Sequence, residues 1–428
     1  PEWFYAVRVF REFGLAAPIA ERIRQDIQNP EPTDTSPAAS PDVPRRELRP
    51  MENAATALRG FSFTYGAGLP LELGKSAQFV ASAVPEAAKS EAAHQLPLVE
   101  SLAEIVQQAA EPLAFTRKRR FRGQWKESVP LDAEELERQA RIIDSYFKHH
   151  EIALAVGLMR EWIVSWAMWK DGCTSDWLKR KTREKYERRL GALARLTRDK
   201  PADLELTPEQ HEFGTRWREL AEELRNVFHH HGMRPQSLES TPKPFKAVCE
   251  FWRRLRTGDI GLPDLGGGAG RLLISPQGSR PGVLYSAVCA ARAVGEPPDR
   301  CLVICSNDSA GTVDEALEKA GFQAAVEKLI VQDPYAGVAE LERLVSDATP
   351  FLLDADTVVA NLTGGTTLMG VAVQKLVDKA RDLGRPVYRF FLIDRRDPEE
   401  QSTNPYVPSD HHCLDSVPSP QSAELERR

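Results

Sequence analysis

The spacing of apolar side chains in this chain changes period once, and the change coincides with a glycine-rich stretch, DIGLPDLGGGAG, at 259–270. Upstream, apolar residues recur three and four apart, as on one face of a helix. Trp3, Ala6, Val7 and Phe10 do so first, then Ile19 and Ile23, with Gly14 as a break between two short helices. Helical spacing returns over 52–111, apart from an aromatic stretch at Phe61–Tyr65, and over 132–170, as one long helix or two joined ones. The segment from 178 mixes acids and bases at helical spacing, which predicts an exposed helix face. A further helix has Thr207 as its cap and Gly232 as its stop, and another ends near 258. Downstream, RLLISP, CLVICS, VEKLIV, TVVANL and VYRFFLI are short apolar runs without alternation, as buried parallel strands require. Amphipathic segments separate them. Strand and helix in turn predict a doubly wound parallel sheet with right-handed crossovers. The fold class is therefore α + α/β, a mainly helical first half followed by a Rossmann-like sheet domain.

The expected divisions are a helical segment at 1–112, with a disordered Pro-rich insert near 28–50, and a helical domain at 113–260. A hinge at 261–270, the α/β domain at 271–396 and a flexible tail at 397–428 complete the chain. With 428 residues, 42% hydrophobic and 28% charged, there is apolar material for real cores, which excludes a wholly disordered chain. A formal net charge of -6 excludes a surface basic throughout, so any nucleic acid must meet a local patch. No apolar run approaches the roughly 18 residues of a spanning helix, and no signal peptide opens the sequence. Six scattered cysteines make no disulfide framework. These features predict a cytoplasmic protein with no membrane partner. The sequence opens at Pro1 without Met, which is consistent with a piece of something longer.

One basic patch stands out. FTRKRRFRGQWK, at 115–126, sets Arg117, Lys118, Arg119, Arg120, Arg122 and Lys126 around Phe121 and Trp125. Cations interleaved with aromatics suit single-stranded nucleic acid, through phosphate contacts and base stacking. A solvated loop anchored by two aromatics has the same composition.

Ligands of doubly wound sheets sit beyond the carboxyl ends of the strands. Three loops qualify: Ser275 to Arg280 with Gln277 and Gly278, then Ser306 to Ser309 with Asn307, then Asn361 to Thr367. In the last, Gly364 and Gly365 allow close backbone approach, while Thr363, Thr366, Thr367 and the helix-start amides can hold phosphate oxygens. A strand-to-helix turn capped by Thr366 accounts for the same residues. No GK[ST] follows the glycines at 266–270 and no GxGxxG follows the first strand, which counts against a P-loop and against NAD or FAD.

VANLTGGTTLMG, at 359–370 around this loop, resembles the N-x-T-G-G-T-K-x-M signature of CRISPR-associated Rossmann-fold (CARF) domains, and the resemblance extends over roughly 270–396. It implies a cyclic oligoadenylate as ligand, bound across a two-fold axis in a homodimer. The family usually has Lys after TGGT; this chain has Thr367, so Arg280 and Arg395 are the candidate cations.

In the helical half, LRNVFHHHGM at 224–233 is the informative segment. Three consecutive histidines on a helix point about 100° apart and cannot converge on one metal ion. Arg with His can instead cleave RNA without metal: the guanidinium neutralises phosphorane charge, and the imidazole activates the 2′-hydroxyl or orients the phosphate. The segment resembles the R-N-x-x-x-H-x-G pattern of HEPN ribonucleases, which gives Arg225, Asn226 and His230 the catalytic positions. Helical phase alone favours His229, about 40° from Arg225, over His230, about 140° away. The MREWIVSW core of 153–169 is similar to the family's first long helix. The family builds its site from two facing copies, so dimerisation is a condition for activity. WFYAVRVFREFG also resembles the helix after an N-terminal CARF domain in some CRISPR ancillary nucleases, which implies a further sensor domain before Pro1.

Together these resemblances imply a cyclic-oligoadenylate-regulated, metal-independent endoribonuclease of a type III CRISPR antiviral response, acting on single-stranded RNA with no cofactor. Two alternatives remain. One is a ring nuclease that degrades cyclic oligoadenylate in the α/β domain; the other is a non-enzymatic cyclic-nucleotide sensor or RNA-binding regulator.

Overall fold

A computed structural model describes residues 2–28, 45–90, 99–116, 121–199, 206–229, 242–266, 270–295, 297–333 and 336–415. The chain divides into two compact units, Pro1–Arg183 with Glu219–Asp259, and Glu184–Arg218 with Ile260–Arg428. One boundary falls at Asp259, where the glycine-rich stretch begins. The expected helical domain at 113–260 is divided differently: its residues 184–218 belong with the sheet.

The first unit is helical. Its elements are α1 (Glu2–Phe13), α2 (Ala17–Gln28), α3 (Arg45–Gly66), α4 (Pro70–Ala88), α5 (Val99–Ala110), α6 (Ala133–Lys148) and α7 (Ile152–Lys170). Gly14, at φ 70°, ends α1. Helix α3 starts at Arg45, so residues 45–50 of the expected Pro-rich insert are helical; the rest of it, 29–44, lies outside the described residues. Asp132 caps α6 by accepting from the Glu135 amide at 2.8 Å. Helix α7 corrects the membrane arithmetic, since its 19 residues are long and apolar enough to cross a bilayer. It buries Val156, Met159, Ile163, Val164 and Met168 inside the unit instead, as a core helix does. Trp162 of α7 donates to the Leu136 carbonyl and stacks edge-on against Trp252, which donates to Asp144. Trp252 lies on α11 (Pro242–Thr257), the last helix of this unit.

The second unit is built on six strands among the described residues: β1 (Arg271–Gln277), β2 (Arg300–Ser306), β3 (Ala325–Val331), β4 (Thr357–Asn361), β5 (Val387–Ile393) and β6 (Asp410–Cys413). They are ordered β3-β2-β1-β4-β5-β6, all parallel except β6, which runs antiparallel to β5. Successive side chains of a strand point to opposite faces. Leu272, Ile274, Leu302 and Ile304 meet α14 (Val338–Asp354) and α15 (Thr367–Asp382) on one face. Leu273, Cys301, Val303 and Cys305 meet α12 (Gly282–Ala293) and α13 (Ala310–Lys319) on the other. Burial on both faces is why these strands read as unbroken apolar runs.

Two expectations are corrected by the second unit. Residues 397–415 are not a loose tail: α16 (Pro398–Thr403) and β6 fold onto the sheet, with Tyr406 edge-on to Tyr285 and Asp415 paired to Arg389. Short polar segments become ordered when they satisfy the edge of an existing strand, which no local pattern announces. Residues 416–428 of that tail lie outside the described residues. Nor is α8 (Arg180–Asp199) merely an exposed charged face, because Leu190, Ala194 and Arg189 are buried and Leu196 packs on the α14–α15 core. Arg189 and Lys185 both pair with Asp356, just before β4, at 2.5 and 2.6 Å. Helix α9 (Pro208–Arg218) begins at a reciprocal cap, in which the Thr207 hydroxyl accepts from the Gln210 amide while the Gln210 side chain accepts from the Thr207 amide.

Candidate functional site

The strand order reverses between β1 and β4, and their carboxyl ends open a cleft of about 410 Å³. The chain builds it by crossing glycines. A side chain at Gly278 would stand 3.2 Å from the Gly365 Cα, so the β1–α12 and β4–α15 loops touch backbone to backbone. Gly364, at φ 109°, and Gly365, at φ 68°, hold conformations that L side chains rarely adopt. A Cβ on Gly364 would come within 2.6 Å of Val283.

Of the candidate ligand residues, Gly278, Thr363, Gly364 and Gly365 line this cleft. Ser275, Gln277 and Asn361 do not: all three are fully buried, and their bonds shape the loops. Asn361 donates to the Ser275 hydroxyl and to the Thr363 carbonyl, and its own oxygen accepts from the Thr363 amide. Gln277 donates to the Gly278 and Arg280 carbonyls and accepts from the Leu284 amide. These three side chains are spent inside the protein, supporting the loops that line the cleft. Ser306 is held by Ser309 within its own turn, and it and exposed Asn307 lie off the cleft lining. Thr366 caps α15 with its hydroxyl on the Met369 amide, and Thr367 is exposed outside the lining.

Residues beyond those loops complete the walls. Asp394 and Arg396 follow β5, while Gln401, Pro405 and Ser409 come from the segment read as a tail. Arg396 grips Asp394 with Nε and Nη2 at 3.0 and 2.7 Å and donates Nη1 to the Asn404 carbonyl. That pairing holds the Asp394 carboxyl below the ordinary carboxylate range and the Arg396 guanidinium above its own. Arg280 is the cation left over. It donates Nη1 to the Gln401 side chain at 2.6 Å and has no carboxylate in salt-bridge range among the described residues. Arg395, the other candidate cation, is 78% exposed, faces Asp410 and does not line the cleft. The backbone N–H groups of Ser279, Arg280, Gly364 and Gly365 also have no hydrogen-bond partner among the described residues. A surplus positive charge with unpaired amides is the chemistry of an anion site.

Helix α15 leads away from this cleft toward α8. Its terminal carbonyls, Arg381 and Asp382, accept from Arg195 at 3.4 and 3.1 Å. A Cβ on the nearby Gly384 would stand 2.5 Å from the Arg188 carbonyl. Helix α9 runs directly into a π-helical turn, Glu219–Leu224, and then α10 (Arg225–His229).

Arg225 is half-buried beside buried Leu224 and has no ion-pair partner among the described residues. The side chains of Asn226 and His229, and all of His230, lie outside the described residues. Among those described, no three of His, Cys, Asp and Glu are grouped to hold a metal ion. Phe115, Phe121 and Trp125 of the basic segment and Phe79 of α4 pack on one another, with the Lys75 ammonium 5.3–6.0 Å from three of the ring centroids. These rings anchor their own loop, while residues 117–120 lie outside the described set.

Neither the protein-family models nor the curated proteins include a match to this sequence.

Proposed function

We propose that this protein is a cyclic-oligoadenylate-regulated, metal-independent endoribonuclease of a cytoplasmic type III CRISPR antiviral response. The anion-receptive cleft at the crown of the sheet carries the reading: glycine backbones, unpaired amides and Arg280 offer a phosphate-bearing ring what it needs, and Thr363, Gly364 and Gly365 of the motif form one wall. The motif resemblances supply the rest, a CARF-like sensor and a HEPN-like nuclease paired in a homodimer.

In this reading Arg225 stabilises the developing phosphorane of single-stranded RNA, with His230 on the 2′-hydroxyl or the phosphate and Asn226 beside them. The products are a 2′,3′-cyclic phosphate or its 3′-phosphate and a 5′-hydroxyl. Ligand binding shifts the dimer toward the state in which two such sets face one strand.

Labelled RNA incubated with purified protein, with and without cyclic tetra- or hexa-adenylate, tests the proposal. Cleavage that requires the ring and is lost in Arg225→Ala supports it. Equal cutting by wild type and Arg225→Ala removes the assigned site. Disappearance of the ring with RNA untouched moves the chemistry to the cleft and makes the protein a ring nuclease.

A further inference from the structure

The motif glycines account for one wall of the crown cleft; the opposite wall is the α16–β6 segment, which is docked against β5 and the start of α12. A side chain at Gly282 would stand 2.3 Å from the Pro405 carbonyl, so the strap lies directly against the start of α12. The Ser286 hydroxyl accepts from the Ser409 amide at 3.2 Å and is 3.4 Å from the Val407 carbonyl. This wall reaches across the mouth at one point, where Gln401 of α16 accepts from Arg280.

The charge inventory of the lining then decides which residue meets an anion. Asp394 and Arg396 neutralise each other in a two-bond pair, and the third Arg396 nitrogen is spent on Asn404. Arg280 uses one N–H on a neutral amide oxygen, so most of its five donors remain for a ligand. Its hydrogen bond goes to a neutral acceptor; the Asp394 carboxylate feels the Arg280 charge, but its own side-chain hydrogen bonds go to Arg396. Resting on the reading of this cleft as the ring site, we infer that Arg280 is the residue that anchors a phosphate of the cyclic oligoadenylate, and that Gln401 is a positioning residue that holds the guanidinium over the cleft. A long side chain fixed before binding loses less conformational freedom when the ligand arrives.

Calorimetric titration of the full chain with cyclic tetra-adenylate and with cyclic hexa-adenylate is the test, using wild type, Arg280→Ala, Arg280→Lys, Gln401→Ala and Arg395→Ala. Removing one charge-assisted contact weakens binding on the order of 10- to 100-fold, so Arg280→Ala takes that loss and Arg280→Lys recovers part of it. Gln401→Ala weakens binding about 3- to 10-fold, the freedom regained by one long side chain. The affinity of wild type falls more steeply with added salt than that of Arg280→Ala, because a charged contact is screened. Melting temperatures stay together, since Arg280 is exposed and makes one side-chain bond. Arg395→Ala binds as wild type does. Wild type binding a ring while Arg280→Ala binds equally well overturns this inference and leaves the cleft reading standing. Failure of wild type to bind either ring overturns both.

Discussion

Asp356→Asn is the sharpest test of how the sheet unit holds its charged helix α8. The carboxylate receives Arg189 at 2.5 Å and Lys185 at 2.6 Å, and the Arg189 side chain is only 3% exposed. Arg385 is also buried, and burial, reinforced by the charge of Arg189, pushes its guanidinium down to about 10, while Asp356 opposes that shift. The amide keeps the size of the side chain and removes the charge, so two buried guanidinium groups lose the acid that faces them. Breaking a buried ion pair from one side costs about 3–5 kcal/mol. The Asp356 side chain is 24% exposed, so screening places the loss near the lower end, about 3 kcal/mol. For a body of about 150–250 residues that lowers the melting midpoint by roughly 6–12 °C. Scanning calorimetry of the intact chain reads the shift. Arg189→Met added to Asp356→Asn returns on the order of 1–2 kcal/mol, because neighbours in one network are not additive. A midpoint for Asp356→Asn within about 1 °C of wild type, or a double variant costing the full sum, refutes the reasoning and removes the electrostatic basis for α8 joining the sheet.

Arg225→Ala lowers ring-stimulated RNA cleavage by at least about 10²-fold, as loss of a group stabilising transition-state charge does, while calorimetric ring affinity is unchanged. Gly364→Ala forces a methyl group to within 2.6 Å of Val283 at φ 109° and destabilises the sheet unit by about 1–3 kcal/mol in urea titration, with weakened ring binding. Burial, then the neighbouring Lys148, pushes the His149 imidazole below its ordinary 6.5, where it shares a 2.7 Å bond with the Tyr65 hydroxyl. The native state then takes up fewer protons than the unfolded chain below pH 6.5, so the helical unit is most stable above that pH and loses stability as pH falls through the depressed value. Melting curves from about pH 8 to about pH 5 show this decline in wild type and a shallower one in His149→Gln.

Local period and capping chemistry are properties of neighbouring residues, and to that extent the elements were legible in the chain alone. The unbroken apolar runs at 272–274, 301–305 and 358–360 demanded cover on both faces, and Thr207 with Gln210 wrote a helix start that the structure forms. The glycines of the TGG loop likewise announced a backbone that other residues cannot follow. The destination of the polar residues, in contrast, was settled by long-range packing. Arg189 looks like any residue of a solvated helix until Asp356, far along the chain, is placed against it. Ser275, Gln277 and Asn361 look like ligand contacts until the loops close and use them internally. Asp410–Cys413 has no pattern of its own and becomes a strand because β5 presents an open edge. Arg280 and Arg395 were alike as candidate cations in the sequence, and only the fold separates them, by lining the cleft with Arg280 and pairing Asp394 with Arg396. Hydrophobic periodicity is read within one element, whereas a charge takes its meaning from whatever the fold brings opposite it.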